Sequence, residues 1–140
     1  PTVALAAMGT VRAPAGRFSI GRFGDNRARL LLAKNPAGWA ESLLVMASDP
    51  VVLAIDSAIA DGTDVSWLWD VEFERLAGRH VICTGPRAQD LAVRLSYAEV
   101  DHEVVDSLRE AMARPYEGTV DVLATYTAFL NLCKMGGVEW

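Results

Sequence analysis

Fifteen residues after the apolar run Val51–Ile55 hold four aspartates and two tryptophans: Asp56–Asp70 reads DSAIADGTDVSWLWD. That is long for a connection inside a small domain, and long loops of this kind are often functional. Carboxylates at such density could hold a divalent cation. The spacing of Asp56, Asp61, Asp64 and Asp70 does not match an EF-hand, however, and the Gly and Glu needed at later positions are absent. Asp61-Gly62 is a turn signal, and Asp70 suits the cap of a helix starting at Val71. Asp64 has no such structural explanation. Ser66, Trp67 and Trp69 follow it, the two aromatics alternating as on an extended segment. Large aromatics on a polar loop are costly to leave in water and are enriched at interfaces. From the residues alone, a minicore with both tryptophans folded back on the sheet comes first, because most aromatics are packing residues. A docking surface is the competing reading.

Two further segments could meet an anion. Lys34-Asn35-Pro36-Ala37-Gly38 lies between a strand and a helix start, where free N–H groups favour negative charge and Lys34 offers a point charge to a phosphate. An ordinary capped helix with a solvent-facing lysine explains the same residues. In Thr84-Gly85-Pro86-Arg87, the guanidinium fork suits a carboxylate or phosphate, or equally an ion pair with Asp90. His80 precedes a strand and His102 begins one, and both read as structural. There is no G-x-S-x-G elbow, no cysteine at a strand–helix turn, no P-loop and no G-x-G-x-x-G. The chain holds no complete catalytic constellation, so whatever chemistry it serves needs parts from elsewhere.

The elements that must position these residues alternate. Arg17–Ile20 and Arg29–Ala33 predict two strands around the turn chemistry of Gly21–Asn26. Val51–Ile55, Val81–Thr84, His102–Val105 and Val120–Ala124 predict four more. Between them, Asn35 caps a helix with Pro36 at its first position and Ala40, Leu43, Leu44 and Ala47 inward. Pro86 opens a second, with Leu91, Leu95 and Ala98 on one face, and Asp106 caps a third, with Leu108, Ala111 and Met112 inward. Tyr126, Phe129, Leu130 and Cys133 form the stripe of the last, which ends at Gly136-Gly137. Strand–helix alternation predicts an α/β fold: a Rossmann-like, mostly parallel sheet flanked by helices, with an N-terminal antiparallel hairpin at its edge. Ligands and partners of such sheets meet the loops after the carboxyl ends of strands. Those loops are Lys34–Trp39, Asp56–Asp70, Gly85–Arg87 and Thr125–Thr127.

Composition narrows the function classes. The 140 residues carry 13 Lys and Arg against 18 Asp and Glu, a net charge of −5, which argues against a general nucleic-acid binder. With 51% hydrophobic and 22% charged residues, bulk disorder is excluded. No apolar run is long enough to span a bilayer. Cys83 and Cys133 sit in no metal spacing and read as core thiols of a reducing cytosol. At the N-terminus, Val3, Ala6 and Ala7 suit a short helix closed by Gly9, and the segment reads either as the end of something cut from a larger protein or as a loosely packed N-terminal segment, between which composition does not choose.

Four segments in this order, Leu30–Trp39 (LLLAKNPAGW), Ala60–Glu74 (ADGTDVSWLWDVEFE), Thr84–Val100 (TGPRAQDLAVRLSYAEV) and Ala124–Leu130 (ATYTAFL), closely resemble the C-terminal domain of the MurT family. These are the Mur-ligase-like subunits of lipid II isoglutaminyl synthase, and the resemblance runs from about Gly16 to Leu132. It implies a Mur ligase C-terminal fold over residues 16–140, with Pro1–Ala15 as a linker or the tail of a missing central ATP-binding domain. It implies ATP and Mg in the longer protein and a partner, the class I glutamine amidotransferase GatD, which releases ammonia. The joint reaction converts the D-glutamate α-carboxylate of lipid II to D-isoglutamine, on the cytoplasmic side of the membrane. This chain carries no P-loop and is expected to be inactive alone and to bind ATP weakly.

The family's D-x-S-W aspartate falls on Asp64, supplied in trans to GatD's Cys–His pair, with Asp70 as second choice. The resemblance also implies Trp67 and Trp69 at the subunit contact, Lys34 and Asn35 near the nucleotide, and Arg87 near substrate or ATP. Two other classes compete: a non-catalytic docking module using the tryptophan loop, and a free-standing anion binder using Lys34 and Arg87.

Overall fold

The runs Val51–Ala54 and Val81–Thr84 are buried at every position, so the sheet they build must be covered on both faces. The computed structural model describes residues 18–58 and 61–138. The elements are β1 (Phe18–Phe23), β2 (Asn26–Leu32), α1 (Pro36–Val45), β3 (Val51–Ala54), β4 (Val81–Thr84), α2 (Ala88–Tyr97), β5 (His102–Val104), α3 (Leu108–Ala113), β6 (Thr119–Ala124) and α4 (Tyr126–Met135). Two 3₁₀ turns, Ser66–Asp70 and Phe73–Leu76, lie between β3 and β4. The expected helix at Val3–Gly9 and the segment Pro1–Ala15 lie outside the described residues.

The six strands run in the order β1-β2-β6-β3-β4-β5. Only β1 is antiparallel, paired with β2 as the expected edge hairpin. Strand β6 comes last in sequence but lies between β2 and β3, with Ala124 level with both Leu32 and Ala54. The carboxyl ends of four strands therefore stand side by side, and their loops converge on one edge. Alternation splits the core in two. Val51, Leu53 and Ile55 face α1, α2 and the 3₁₀ turns, while Val52 and Ala54 face α3 and α4.

Several local expectations shift. The hairpin strands run inward to a two-residue turn, Gly24-Asp25, in which Gly24 takes φ +65°. A positive φ at the first turn position alone suits a hairpin whose twist matches its strands. In α1 the buried face is Trp39, Leu43 and Met46; Ala40, Leu44 and Ala47 are exposed. The fully buried Trp39 sets the phase, so of the four apolar residues at helical spacing only Leu43 stays inward. Helix α2 begins at Ala88, two residues past Pro86, because Gly85 turns through φ +95° first. A Cβ at Gly85 would lie 2.5 Å from the Ile55 carbonyl oxygen, so only glycine lets these two loops pass. The cap of α3 is Ser107, whose hydroxyl accepts the Glu110 N–H, not Asp106. On α4 the stripe is Ala128, Phe129, Leu132 and Cys133, while Leu130 is only part-buried.

Candidate functional site at the carboxyl edge of the sheet

The loop after β3 is tied down at each of its aspartates but one. Asp56 Oδ1 accepts the Ala58 N–H (3.1 Å), and its backbone N–H donates to the buried Thr125 hydroxyl (2.8 Å). Asp61 does more than make the Asp-Gly turn. Its Oδ1 accepts the Thr127 N–H (2.8 Å), satisfying an orphan donor in the first turn of α4 from a remote segment. Its Oδ2 is buried and accepts from no group among the described residues. Asp61 also lines a cavity of about 220 Å³ together with Lys34, Gly62, Thr125 and Tyr126. Lys34 lies with its ammonium 5.1 Å from the Tyr126 ring centroid.

Asp64 stands exposed, and its Oδ1 accepts the Ser66 N–H at 2.9 Å. That backbone N–H and the Ser66 hydroxyl hold the carboxyl below its ordinary value, with Arg87 adding attraction. A carboxylate so held is ionised at neutral pH, oriented by one bond and open to solvent on its other side. The sequence offered no structural role for Asp64; the turn onto Ser66 supplies one without covering the group.

The segment after Asp64 is a 3₁₀ turn and not the extended stretch expected, so the two tryptophans part company. Trp67 packs inward against Trp39 (centroids 5.4 Å apart), which also meets Phe73 at 6.0 Å. Trp69 faces out, 52% exposed, edge-on to Tyr97 at 5.2 Å. The minicore reading holds for Trp67 and not for Trp69. Asp70 ends this turn, exposed, and caps no helix: the next 3₁₀ turn starts at Phe73, after Glu72.

The remaining candidates are largely engaged. Asn35 accepts the Gly38 N–H at 2.9 Å as the expected cap. Arg87 Nε pairs with Asp90 at 2.7 Å, as one of its two readings had it, and a second nitrogen reaches Ser57 at 3.3 Å. Thus α2 holds the start of the aspartate loop, and Arg94 holds its end. Arg94 is buried, with Nε on the Leu68 carbonyl (3.1 Å) and Nη2 on the Val71 carbonyl (2.7 Å). The sequence reading passed over it, yet the signal was there: Leu91, Arg94, Leu95 and Ala98 follow i, i+3, i+4, i+7, which puts a charge on a buried stripe.

Neither cysteine and neither histidine of this chain joins the site. Burial pushes the Cys83 thiol up to about 12, and burial raises Cys133 as well. His80 and His102 lie at the opposite edge, His80 bonded to Asp101 and Glu103 and His102 to the Val100 carbonyl. No group of three or more metal-ligating side chains forms among the described residues, and no helix among them is long and apolar enough to cross a membrane.

Fold and site together define a class: a Rossmann-like α/β domain whose carboxyl-edge loops present charged and aromatic groups outward, where such sheets meet ligands and partners. Comparison makes it particular. Residues 32–129 match the family model described as MurT ligase C-terminal. The chain is 33% identical over 130 residues to subunit MurT of lipid II isoglutaminyl synthase (glutamine-hydrolyzing) from Staphylococcus aureus (strain COL), covering 85% of this chain and 30% of that protein. It is 31% identical over 137 residues to the subunit of the same name from Streptococcus pneumoniae (strain ATCC BAA-255 / R6), covering 89% and 31%. The chain belongs to the MurT ligase C-terminal family, and it spans about 30% of the length of these relatives.

Proposed function

We propose that this domain serves a glutamine-dependent ligase by handing Asp64 to a partner glutaminase of the GatD type. The partner supplies a cysteine nucleophile and a histidine. Asp64 accepts the imidazole Nδ1–H, fixes its tautomer and stabilises the imidazolium that forms as the thiol is deprotonated. The observation that carries the reading is the state of Asp64: ionised, held by Ser66 and exposed, in a chain that brings no imidazole to it. Glutamine hydrolysis then waits for the complex, which limits wasted ammonia. Asp70, exposed six residues on, is the second choice for this role. Trp69 is the aromatic fitted to the contact, with Trp67 bracing the loop from inside.

On this reading the longer protein uses the ammonia and ATP to amidate the D-glutamate α-carboxylate of lipid II during peptidoglycan synthesis, at the cytoplasmic face of the membrane. Nucleotide and Mg²⁺ would be held mainly by parts outside this domain. Of its own residues, Lys34, exposed and lining the same cavity as Asp61, would meet phosphate as a point charge. Asn35 and Arg87 already have partners in their own chain.

The test is Asp64→Asn in the assembled complex. Glutamine hydrolysis should fall by about 10⁴, the cost of the analogous change in a catalytic triad, while the complex still forms. Unchanged ammonia release would remove Asp64 from the mechanism. A second reading, a docking module only, draws on the outward patch of Trp69, Tyr97 and Val93. In that case Asp64→Asn leaves turnover intact and only patch variants weaken the complex.

A further inference from the structure

Arg94 is the one buried basic side chain among the described residues. A guanidinium out of water is tolerated only when its donors are used. Here Nε and Nη2 take the carbonyls of Leu68 and Val71, and Nη1 and Nη2 reach the Glu74 carboxylate at 3.4 and 3.2 Å. The Trp69 and Phe73 rings flank the group, with centroids 5.3 and 5.5 Å from it. Leu68 sits inside the 3₁₀ turn Ser66–Asp70 and Val71 immediately follows it. A five-residue 3₁₀ turn has little stability of its own. Its shape is therefore imposed by α2, which is seated on the core through Leu91, Leu95 and Ala98. The first residue of that turn, Ser66, is the one whose N–H holds Asp64.

We infer that Arg94 is a positioning residue for Asp64: by clamping both carbonyls it fixes the turn whose leading N–H aims the carboxylate. The inference rests on the proposed role of Asp64. The planar fork is required, because a lysine ammonium is a point charge that does not reproduce diverging, fixed donors. Arg94 never touches the partner's reacting atoms; it acts through the backbone of the turn.

A misplacement of about 1 Å in a catalytic constellation costs roughly 10²-fold in rate. In the complex of the full-length chain with its glutaminase, Arg94→Met should lower kcat for glutamine hydrolysis by about 10- to 100-fold, with KM for glutamine unchanged. The decisive arm is the cycle: Arg94→Met combined with Asp64→Asn should be no slower than Asp64→Asn alone, since one acts through the other. Glu74→Gln, at a half-exposed position, runs the same cycle with a smaller loss and covers the case in which Arg94→Met does not fold. Additive losses, or full activity in both Arg94→Met and Glu74→Gln beside a crippled Asp64→Asn, overturn the positioning role while Asp64 keeps its own. A fully active Asp64→Asn beside a slowed Arg94→Met overturns the role of Asp64, and the positioning inference with it.

Discussion

At the amino edge of the sheet the charged side chains bond to one another, whereas at the carboxyl edge they face outward. Asp121, 3% exposed near the start of β6, accepts the N–H groups of Ala47 and Ser48 and the Nε of Arg29 at 2.7 Å. His80 lies between Asp101 (2.6 Å) and Glu103 (2.7 Å), and Arg114 joins Glu103 at 2.9 Å. These networks tie strands, loops and α3 together within the chain. At the other edge Asp61 and Asp64 each use one oxygen on a backbone N–H. Lys34, Asp70 and Trp69 are exposed there. The difference teaches where function sits: the bonds at the carboxyl edge shape the loops without neutralising them, and that is the state in which a loop serves another molecule. Arg87–Asp90, satisfied within its own helix turn, and Arg94–Glu74, which holds the end of the loop, are exceptions.

The contrast can be broken or sharpened by substitution. Asp121→Ala should cost the most stability, about 3 kcal/mol, because it strands the backbone N–H groups of Ala47 and Ser48 and removes the ion pair to Arg29. Urea unfolding measures this, and a loss below about 0.5 kcal/mol would make that network ornamental. Trp69→Ala should cost folding about 1 kcal/mol, for its contacts with Tyr97 and Arg94, yet weaken partner binding by about 2 kcal/mol, roughly 30-fold, as truncation of an aromatic anchor does. The reverse pattern would move Trp69 into the core and off the interface.

The smallest effect is pH-dependent. Burial pulls the His80 pKa down, but the Glu103 and Asp101 carboxylates outweigh it and hold it above its ordinary 6.5. The ion pairs of His80 therefore stabilise fully below 6.5 and fade as pH rises through the raised folded value. His80 and Arg114 hold Glu103 below its ordinary 4.5, so its contribution stands above 4.5 and fades as pH falls. Urea titrations of the parent and His80→Gln should differ most between pH 4.5 and 6.5, by less than about 1 kcal/mol since His80 and Glu103 are part-exposed and Asp101 is exposed. A difference that grows above pH 8 would contradict this.

Much of the frame was legible before any coordinates. Val- and Ile-rich runs, most of them bounded by Gly, Pro or Asp, located four of the five described parallel strands, the leucine-rich Arg29–Ala33 located the fifth, and alternation with helices predicted the loops of the carboxyl edge. Asp64 stood out because no turn or cap explained it. What escaped was tertiary. The alternation of Trp67 and Trp69 suits an extended segment and a 3₁₀ turn equally at that length, and only the clamp from Arg94 decides between them. Leu44 read as core because its spacing was right; the volume of Trp39 rotated α1 by its own packing. Asp121, inside the strand VDVLA, draws its partners from residues 29, 47 and 48, and no local pattern announces bonds across so many positions.

The most direct measurement is the structure of the full-length chain bound to its glutaminase. The account predicts an Asp64 carboxylate oxygen about 2.6–3.2 Å from Nδ1 of the partner's catalytic histidine. A histidine oriented by the glutaminase's own carboxylate, with Asp64 beyond hydrogen-bond reach, would contradict it.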